Sequence, residues 1–289
     1  MAFVALGVIW GVPYFFIKLA VQELSPSAVA FSRLVLATAV LLPIAWRRGA
    51  LRPLRGYLWP IVAFALVEFV VPFTAICFGE RWISSSVTGI LIATVPLWIA
   101  LMSRWFRVHE PLGPWRLLGL VVGFIGVATL LGVGTISGLL GWAGVGCMLI
   151  ATLGYAAGPL IIQRHLGGLD SYGPLAMSLL IATIVMAVPA LLSLPDQMPS
   201  AVALGSIAIL GVICTALAML LMFFLIADAG ASRSSVITYI NPAVAALLGT
   251  VVLHERLGLG GIAAFALILL GSWLATRGKP AHRVSAEAT

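Results

Sequence analysis

The chain of 289 residues is 62% hydrophobic and only 9% charged, and its mean hydropathy is +1.16. A soluble domain carries about 25% charged residues. This composition therefore excludes a globular protein with a water-facing surface and predicts a polytopic integral membrane protein, which the apolar runs described next indicate to be all-α. The net charge of +7 suggests a nucleic-acid partner at first sight, but the positions of the charges, given below, argue against one.

Ten apolar runs along the chain are candidates for membrane crossings. A helix that spans the bilayer needs about 20 mostly apolar residues, whereas the strands of a membrane barrel would alternate polar and apolar residues over about ten positions. These runs do not alternate, so we number them segments 1 to 10 and predict a transmembrane helix for each. Their approximate bounds are 2–22, 27–46, 57–79, 83–107, 112–131, 138–163, 171–194, 201–226, 233–253 and 257–277.

The lysines and arginines predict which way the helices run. With ten crossings both termini lie on one side of the membrane, and that side collects twelve basic residues against three on the other. The twelve are Arg47, Arg48, Arg52, Arg55, Arg104, Arg107, Arg116, Arg164, Arg233, Arg277, Lys279 and Arg283. The three are Lys18, Arg81 and Arg256. Because basic loops stay in the cytoplasm, we predict a multi-pass protein of the cell (inner) membrane with both termini cytoplasmic, and no nucleic-acid partner.

The two halves of the chain resemble each other. VHEPLG (Val108–Gly113) returns as LHERLG (Leu253–Gly258) after 145 residues, and in segments 4 and 9 the shift is 146. Residues 1–134 and 135–289 are therefore predicted to be two five-helix repeats. An odd number of helices per repeat turns the second repeat upside down, which is a common plan of secondary transporters, with the substrate site between the repeats.

The duplicated His-Glu pair also permits a catalytic interpretation, which the spacing disfavours. A zinc protease motif needs two histidines one helical turn apart with a glutamate between them. His109 and His254 each lack the second histidine, and His165 and His282 are isolated. We therefore predict no metal site, no cofactor and no enzyme activity.

Two stretches carry a family resemblance. Ser84–Gly113 and Ala231–Gly258 each combine small polar residues, a mid-helix proline, a His-Glu pair and a Gly-rich helix after it. Together with the run Gly7–Val21, this pattern resembles the drug/metabolite transporter (DMT) superfamily, of the EamA type, over nearly the whole chain. The resemblance implies export of small metabolites, and the branch that fits best by overall likeness is the YddG-type aromatic amino-acid exporters.

Segments 1 and 6 offer aromatic candidates for a substrate pocket. Trp10 and Tyr14 are one helical turn apart on the same face, and their equivalents in the second repeat are Tyr155 and Pro159. Trp10 and Tyr14 lie deeper than the interfacial belt in which membrane aromatics collect. We predict that these four residues line the pocket; the alternative is that they pack against lipid.

Segments 4, 8 and 9 offer polar and soft apolar candidates. A proline inside a helix frees a backbone carbonyl, and in lipid that group needs a partner, such as a neighbouring helix or a ligand. The alternative for the polar residues is that they only join helices, at about 0.6 kcal/mol for each hydrogen bond; for the apolar ones it is ordinary packing. The predicted lining residues are Thr88, Pro96, Met219, Phe223, Thr238, Tyr239 and Asn241.

Glu68 is the most unusual single residue, because it lies near the middle of segment 3. A charge at that depth costs about 2.5–3.5 kcal/mol on the insertion scale and should face a partner inside the bundle. Two roles remain open. Glu68 either recognises an amine or carries a proton, or it forms a structural pair with Arg33 of segment 2, the nearest candidate in depth.

From these observations we predict a secondary transporter that exports small amphipathic metabolites by alternating access, with aromatic or apolar amino acids as the favoured substrates. The alternative is an exporter of quaternary ammonium drugs, and an integral-membrane enzyme is the reading from a different class. The predicted partners are the lipid bilayer and a small-molecule substrate. The sequence does not specify the oligomeric state, and a monomer is compatible with it.

Overall fold

The computed structural model describes residues 2–103, 105, 113–132, 136–166, 168–193, 195, 197–222, 237–255 and 258–276. Within these ranges the secondary structure is helical and no residue lies in a β-strand. Six helices are long and apolar enough to cross a membrane, and four shorter apolar helices fall in segments 1, 5, 9 and 10. This arrangement confirms the all-α membrane class. The number of ten crossings remains a prediction.

Prolines divide the first segments into shorter helices. Segment 1 forms Ala2–Gly11 and Pro13–Ala20, since Pro13 lacks the N–H that would continue the first helix and is well suited to start a new one. Segment 2 is the unbroken helix Pro26–Arg47, and the Oγ of Ser25 caps it by accepting a hydrogen bond from the N–H of Ala28 at 3.2 Å.

The remaining segments have the following bounds. Segment 3 consists of a 3₁₀ turn and three helical stretches, Arg52–Tyr57, Leu58–Phe64, Ala65–Val70 and Val71–Gly79. Segment 4 is divided into Ser85–Ile92 and Val95–Met102. Segments 5 to 7 are Pro114–Gly132, Gly138–Ile161 with a π-helical end Ile162–Leu166, and Tyr172–Leu191. Segments 8 to 10 are Ala201–Ala208 with the π-helical stretch Ile209–Leu217, Ile237–Val251, and Leu259–Thr276.

Two of the π-helical stretches lie in the middle of long helices. Ala65–Val70 interrupts segment 3 and contains Glu68, whereas Ile209–Leu217 interrupts segment 8 and contains Thr215. A π-helical turn widens the helix by one residue and is often found at functional sites. Here it changes the direction of the side chains halfway along two helices that border the centre of the bundle.

Small residues let the helices approach closely. Segments 5 and 10 pack along each other at Gly123, Gly126 and Gly271: a Cβ on Gly126 would come within 2.8 Å of the backbone nitrogen of Ile268, and one on Gly271 would collide with the backbone of Gly123. Segment 2 packs on segment 7, and segment 3 packs on segment 6. The outer surface is apolar, with side chains such as Trp59, 79% exposed. Such a surface suits a lipid environment.

Candidate functional site

Four polar side chains from four segments lie in the interior of the bundle: Tyr14, Arg33, Glu68 and Tyr155. Tyr14 and Arg33 are each only 6% exposed. Tyr155 is half-buried and lies within electrostatic range of Tyr14, Arg33 and Glu68. We call this group the central cluster. It brings together three of the residues predicted from the sequence and adds Arg33.

Arg33 is held in place by two neighbours. Its Nε donates a hydrogen bond of 2.6 Å to the Oγ1 of Thr215, and its guanidinium carbon lies 3.8 Å from the centre of the Phe73 ring. The hydroxyl of Thr215 in turn donates to the carbonyl of Leu210 at 2.8 Å, five residues back in the π-helical stretch. Its only proton is thereby used, so its lone pairs are left to accept from Arg33.

Glu68 reaches from the π-helical stretch of segment 3 to the surface of segment 6. Its Oε2 is buried and has no hydrogen-bond partner. A Cβ at Gly158 would collide with that oxygen and would come within 3.3 Å of Cε2 of Phe64. Glycine at position 158 therefore makes room for the carboxylate, which lies beside the helix that carries Tyr155.

The structural pair between Arg33 and Glu68 is not formed. In the part of the chain that the structure describes, the arginine contacts Thr215 and Phe73, and no ion pair joins it to the glutamate. The prediction of this pair used only the depth of the two residues in the bilayer. Depth does not determine the direction in which a side chain leaves its helix. The two side chains leave their helices towards different neighbours.

An aromatic wall runs along segment 3 beside these charges. Phe64, Phe69 and Phe73 stack edge to face, with successive ring centroids 5.6 Å apart. Phe64 approaches Glu68 at one end of the wall, and Phe73 lies under Arg33 at the other. Apolar side chains thus lie between two opposite charges; all three rings belong to the main core and are at most 3% exposed.

Trp10 and Tyr14 do not share one environment. Trp10 packs with Leu6 and Ala218 in a small cluster against segment 8, whereas Tyr14 belongs to the main core. The break of segment 1 at Val12 separates the two side chains. Met219 is half-buried against the main core, and Pro159 is exposed on segment 6.

The predicted residues of segment 4 are engaged in local structure. Thr88 is fully buried, and its hydroxyl donates to the carbonyl of Ser84 at 3.1 Å. Pro96 is buried just after the break between the two helices of the segment, where the hydroxyl of Ser272 donates to the carbonyl of Ala93 at 3.0 Å. This carbonyl is therefore satisfied by segment 10 rather than left for a substrate.

Segment 9 packs on segments 1 and 4. Two glycines allow this close packing. A Cβ at Gly11 would lie 2.6 Å from the backbone oxygen of the half-buried Asn241, and a Cβ at Gly89 would lie 2.5 Å from the Cβ of Ala245. Phe223 and the side chains of Thr238 and Tyr239 lie outside the described residues. Their part in the pocket stays a prediction.

The second His-Glu pair has a structural role at one end of the bundle, called the outer end after the charge-based prediction. His254 adopts a left-handed backbone with φ of 55° and ends segment 9. The carboxylate of Glu255 then accepts hydrogen bonds from the N–H and hydroxyl groups of Ser85 (2.7 and 3.0 Å) and of Ser86 (2.9 and 2.6 Å). Glu255 thus caps the start of segment 4. The first pair, His109 and Glu110, lies outside the described residues.

Two more contacts join segments at the outer end. The Nζ of Lys18 donates to the carbonyls of Glu80 (2.5 Å) and Ile83 (2.8 Å). The side chain of Glu80 is fully buried, and the hydroxyl of Thr88 lies near its carboxylate. Because that hydroxyl donates to the carbonyl of Ser84, neither carboxyl oxygen of Glu80 accepts a hydrogen bond from a described residue. Burial raises the pKa of Glu80 well above its usual range; the nearby Lys18 opposes this rise and the carboxylate of Glu255 adds to it.

A second cap lies on the exposed surface of the same end. Glu23 accepts hydrogen bonds from the N–H (2.7 Å) and hydroxyl (2.6 Å) of Ser200, at the start of segment 8. These bonds hold the pKa of Glu23 below its usual range. At the opposite, inner end, the guanidinium carbon of Arg48 lies 4.2 Å from the ring centre of Tyr172. In the described part of the chain, no three His, Cys, Asp or Glu residues come together as a metal site would require.

The chain was compared with known families, curated proteins and solved structures. The model of the EamA-like transporter family matches residues 1–132 and again residues 142–277. The chain is 26% identical to an uncharacterized transporter of Archaeoglobus fulgidus, over 93% of this chain and 95% of the relative. It is 28% identical to the uncharacterized inner membrane transporter YedA of Escherichia coli K12, over 96% and 90%.

A solved crystal structure has the same fold. It aligns with a TM-score of 0.69 and 19% identity, covering 95% of this chain and 94% of that chain. The curated relatives are named as transporters, which agrees with the absence of enzyme motifs from the sequence. The family model matches both halves of this all-helical membrane protein, and the chain therefore belongs to the EamA-like transporter family.

Proposed function

We propose that this membrane transporter consists of two inverted five-helix repeats that cross the membrane ten times and export small amphipathic metabolites, with aromatic or apolar amino acids as substrates. The observation that carries the architecture is a hydrogen bond of 3.0 Å between the hydroxyls of Thr38 and Thr183. These residues are 145 apart, which is the shift that aligns the two repeats. A residue that touches its own equivalent lies on the axis relating two repeats.

The helix contacts repeat in the same way. Segments 2 and 7, 4 and 9, and 5 and 10 each pack against their own equivalents. Segment 3 packs on 6 as segment 8 packs on 1, and segment 1 packs on 9 as segment 6 packs on 4. The glycine contacts agree: Gly126 meets Ile268, and the shift of 145 turns this contact into that between Gly271 and Gly123. Two separate matches to one family model also favour two repeats.

The described loop contacts support ten crossings. The loops after segments 1, 3, 7 and 9 meet at the outer end through Lys18, Glu255 and Glu23. The loops after segments 2 and 6 meet at the other end through Arg48. The inner end carries the basic loops, so we assign it and both termini to the cytoplasm. The name of the relative YedA supports the inner membrane as the location.

The central cluster favours a zwitterion over a phosphate. Phosphate groups call for several Arg or Lys donors, and in the described centre of the bundle Arg33 is the one cation. Glu68 offers an acid beside an aromatic wall, and Tyr14 and Tyr155 lie close by. The unpartnered Glu68 also favours a second candidate, a quaternary ammonium compound stacked on aromatic rings. Export is implied by the family resemblance alone. The gradients across the membrane, and not the pocket, decide the direction of transport.

Transport in reconstituted vesicles tests this proposal. Vesicles loaded with one amino acid are given a labelled amino acid outside, with other amino acids and quaternary ammonium compounds as competitors. We expect exchange of aromatic amino acids and a several-fold loss in Tyr14→Ala, with a smaller loss in Trp10→Ala, which packs in a separate cluster, and no change in Trp59→Ala, whose side chain faces the surface. Exchange that only quaternary ammonium compounds inhibit would refute the amino-acid assignment.

Labelling of single cysteines tests the architecture separately. His109→Cys and His254→Cys, each made in a chain without Cys77, Cys147 and Cys214, are treated with an impermeant maleimide in right-side-out and inverted vesicles. Inverted repeats predict labelling from opposite sides. Labelling of both from the same side would exclude the ten-crossing arrangement.

A further inference from the structure

The side chain of Arg33 has unused hydrogen-bonding capacity. A guanidinium has five N–H donors, and Arg33 uses one of them, Nε, for Thr215. The four donors on its two terminal nitrogens have no partner among the described residues. The side chain is nevertheless only 6% exposed, so it presents a buried cation with a free fork of donors.

The neighbours of Arg33 hold this fork in one orientation. Thr215 fixes the Nε edge, and the Phe73 ring covers one face of the plane at 3.8 Å. The opposite edge, formed by the terminal nitrogens, is the part of a guanidinium that binds a carboxylate through two parallel hydrogen bonds. A charge held inside a membrane protein is expected to have a counter-charge, and no described carboxylate forms an ion pair with Arg33. The buried Glu80, which like Arg33 lies within electrostatic range of Tyr14, has Lys18 as its own cation.

Glu68 complements Arg33 across the central cluster. It has the opposite charge, a buried oxygen without a partner, and no ion pair with the arginine. Tyr155 lies within electrostatic range of both, and the wall of Phe64, Phe69 and Phe73 extends from one charge to the other. Two charges that remain unpaired at one site match the two charges of a zwitterion.

We propose that Arg33 binds the carboxylate of an α-amino acid and Glu68 its ammonium group, while the aromatic wall contacts the side chain. This assignment rests on the proposed transport function and makes the substrate class explicit: a free amino acid that has both charged groups. Thr215 is a positioning residue, because it orients the guanidinium without needing to touch the substrate.

Three indole compounds separate the two charges. Tryptophan has both groups, tryptamine lacks the carboxylate, and N-acetyltryptophan lacks the ammonium group. In Arg33→Met we expect kcat/KM for tryptophan to fall about 10- to 100-fold, whereas that for tryptamine stays within about twofold. Arg33→Lys keeps the charge without the two terminal nitrogens of the guanidinium, and its kcat/KM for tryptophan should fall about tenfold. In Glu68→Gln, the ratio of kcat/KM for N-acetyltryptophan to that for tryptophan should rise.

Two further variants control for folding and for charge. Arg81→Met removes an exposed arginine at the outer end and should leave all three rates unchanged. Thr215→Val retains the charge of Arg33 and the volume of the threonine, and it should raise KM for tryptophan more than for tryptamine. Equal losses for both compounds in the Arg33 and Thr215 variants would assign these residues a structural role and overturn the inference.

The outcomes distinguish this inference from the proposed function. Transport of tryptamine but not tryptophan by the wild type would overturn the inference and leave a cation exporter. If none of the three compounds moves, the proposed function fails, and thermal stabilisation of the purified protein by tryptophan decides the inference alone. Stabilisation of the wild type that is lost in Arg33→Lys would support it, and equal or absent stabilisation would overturn it.

Discussion

The cap that Glu255 places on segment 4 joins two distant parts of the chain and can be tested by replacing one residue. The first four N–H groups of a helix, that of the capping residue included, have no partner within it, so the three that follow the cap need other acceptors. In the helix Ser85–Ile92 the third, of Val87, is bonded by the Oγ of Ser84 at 3.2 Å, whereas those of Ser85 and Ser86 depend on Glu255. Both serines are fully buried.

The magnitude follows from these contacts. Glu255→Ala leaves two buried N–H groups without an acceptor, and each such group costs about 1–3 kcal/mol. The serine hydroxyls can turn to other acceptors, and Glu255 is only half-buried, so water can enter and offset part of the loss. We therefore expect the free energy of unfolding to fall by about 2–4 kcal/mol. Glu255→Gln keeps one acceptor oxygen and should lose about half as much.

Unfolding in mixed micelles measures this loss. Titration with SDS can be followed through the fluorescence of the nine tryptophans, and the midpoints give the difference between variants. Gly249→Ala is an independent perturbation of the same contact, since a Cβ at that position would collide with Oε2 of Glu255 and with Oγ of Ser86. It should be destabilising although it removes no hydrogen-bonding group.

Glu23→Ala is the matched control. It removes the same chemistry, a carboxylate on the N–H and hydroxyl of a capping serine, but on the exposed surface at Ser200. Water replaces the carboxylate there, so its effect should be much smaller than that of Glu255→Ala. Equal effects of the two replacements, or none at Glu255, would refute the argument that burial of the serine donors makes the cap important.

Three further predictions concern pH, backbone and the central cluster. Because the pKa of Glu80 is raised, its contribution to stability is greatest below the ordinary carboxyl pKa and declines as pH rises through the raised value. Glu80→Gln should remove this decline in SDS titrations at several pH values. A pH profile of stability unchanged in Glu80→Gln would contradict this prediction. His254→Gly should be neutral or stabilising by up to about 1 kcal/mol because glycine adopts a positive φ freely, whereas His254→Val should destabilise by about 1–2 kcal/mol; a loss of transport in the glycine variant with normal stability would indicate a chemical role for the imidazole. Gly158→Ala should displace the Glu68 carboxylate and lower amino-acid exchange several-fold in vesicles, while Gly146→Ala, at a glycine with open space around it, should have no effect.

Much of the fold follows from local patterns in the sequence. Hydropathy alone locates the apolar helices, whereas the two repeats that the returning His-Glu motif indicates stay a proposal. The apolar helices depend on composition over about 20 residues, which a single chain displays directly.

The partners of the polar residues could not be read in this way. Arg33 and Thr215 are 182 residues apart, and Glu255 is 170 from Ser85. Depth in the membrane suggested Glu68 as the partner of Arg33, but the direction of each side chain around its helix decides the contact. Two π-helical stretches alter this direction in segments 3 and 8. Trp10 and Tyr14 were separated by a break at Pro13, which a regular helical spacing does not include.

The contacts at the outer end differ in kind from those between segments 5 and 10, and this difference suggests which parts move. The capping bonds of Glu255 and the bonds of Lys18 join polar groups, and water can replace each of them when the end opens. Segments 5 and 10 are joined by glycine backbones in close apolar contact, which a separation would leave without partner atoms. We therefore expect segments 5 and 10 to stay together while segments 1, 4 and 9 part at the outer end. A double cysteine placed across Gly126 and Ile268 should allow transport after cross-linking, whereas one across Ser86 and Glu255 should block it.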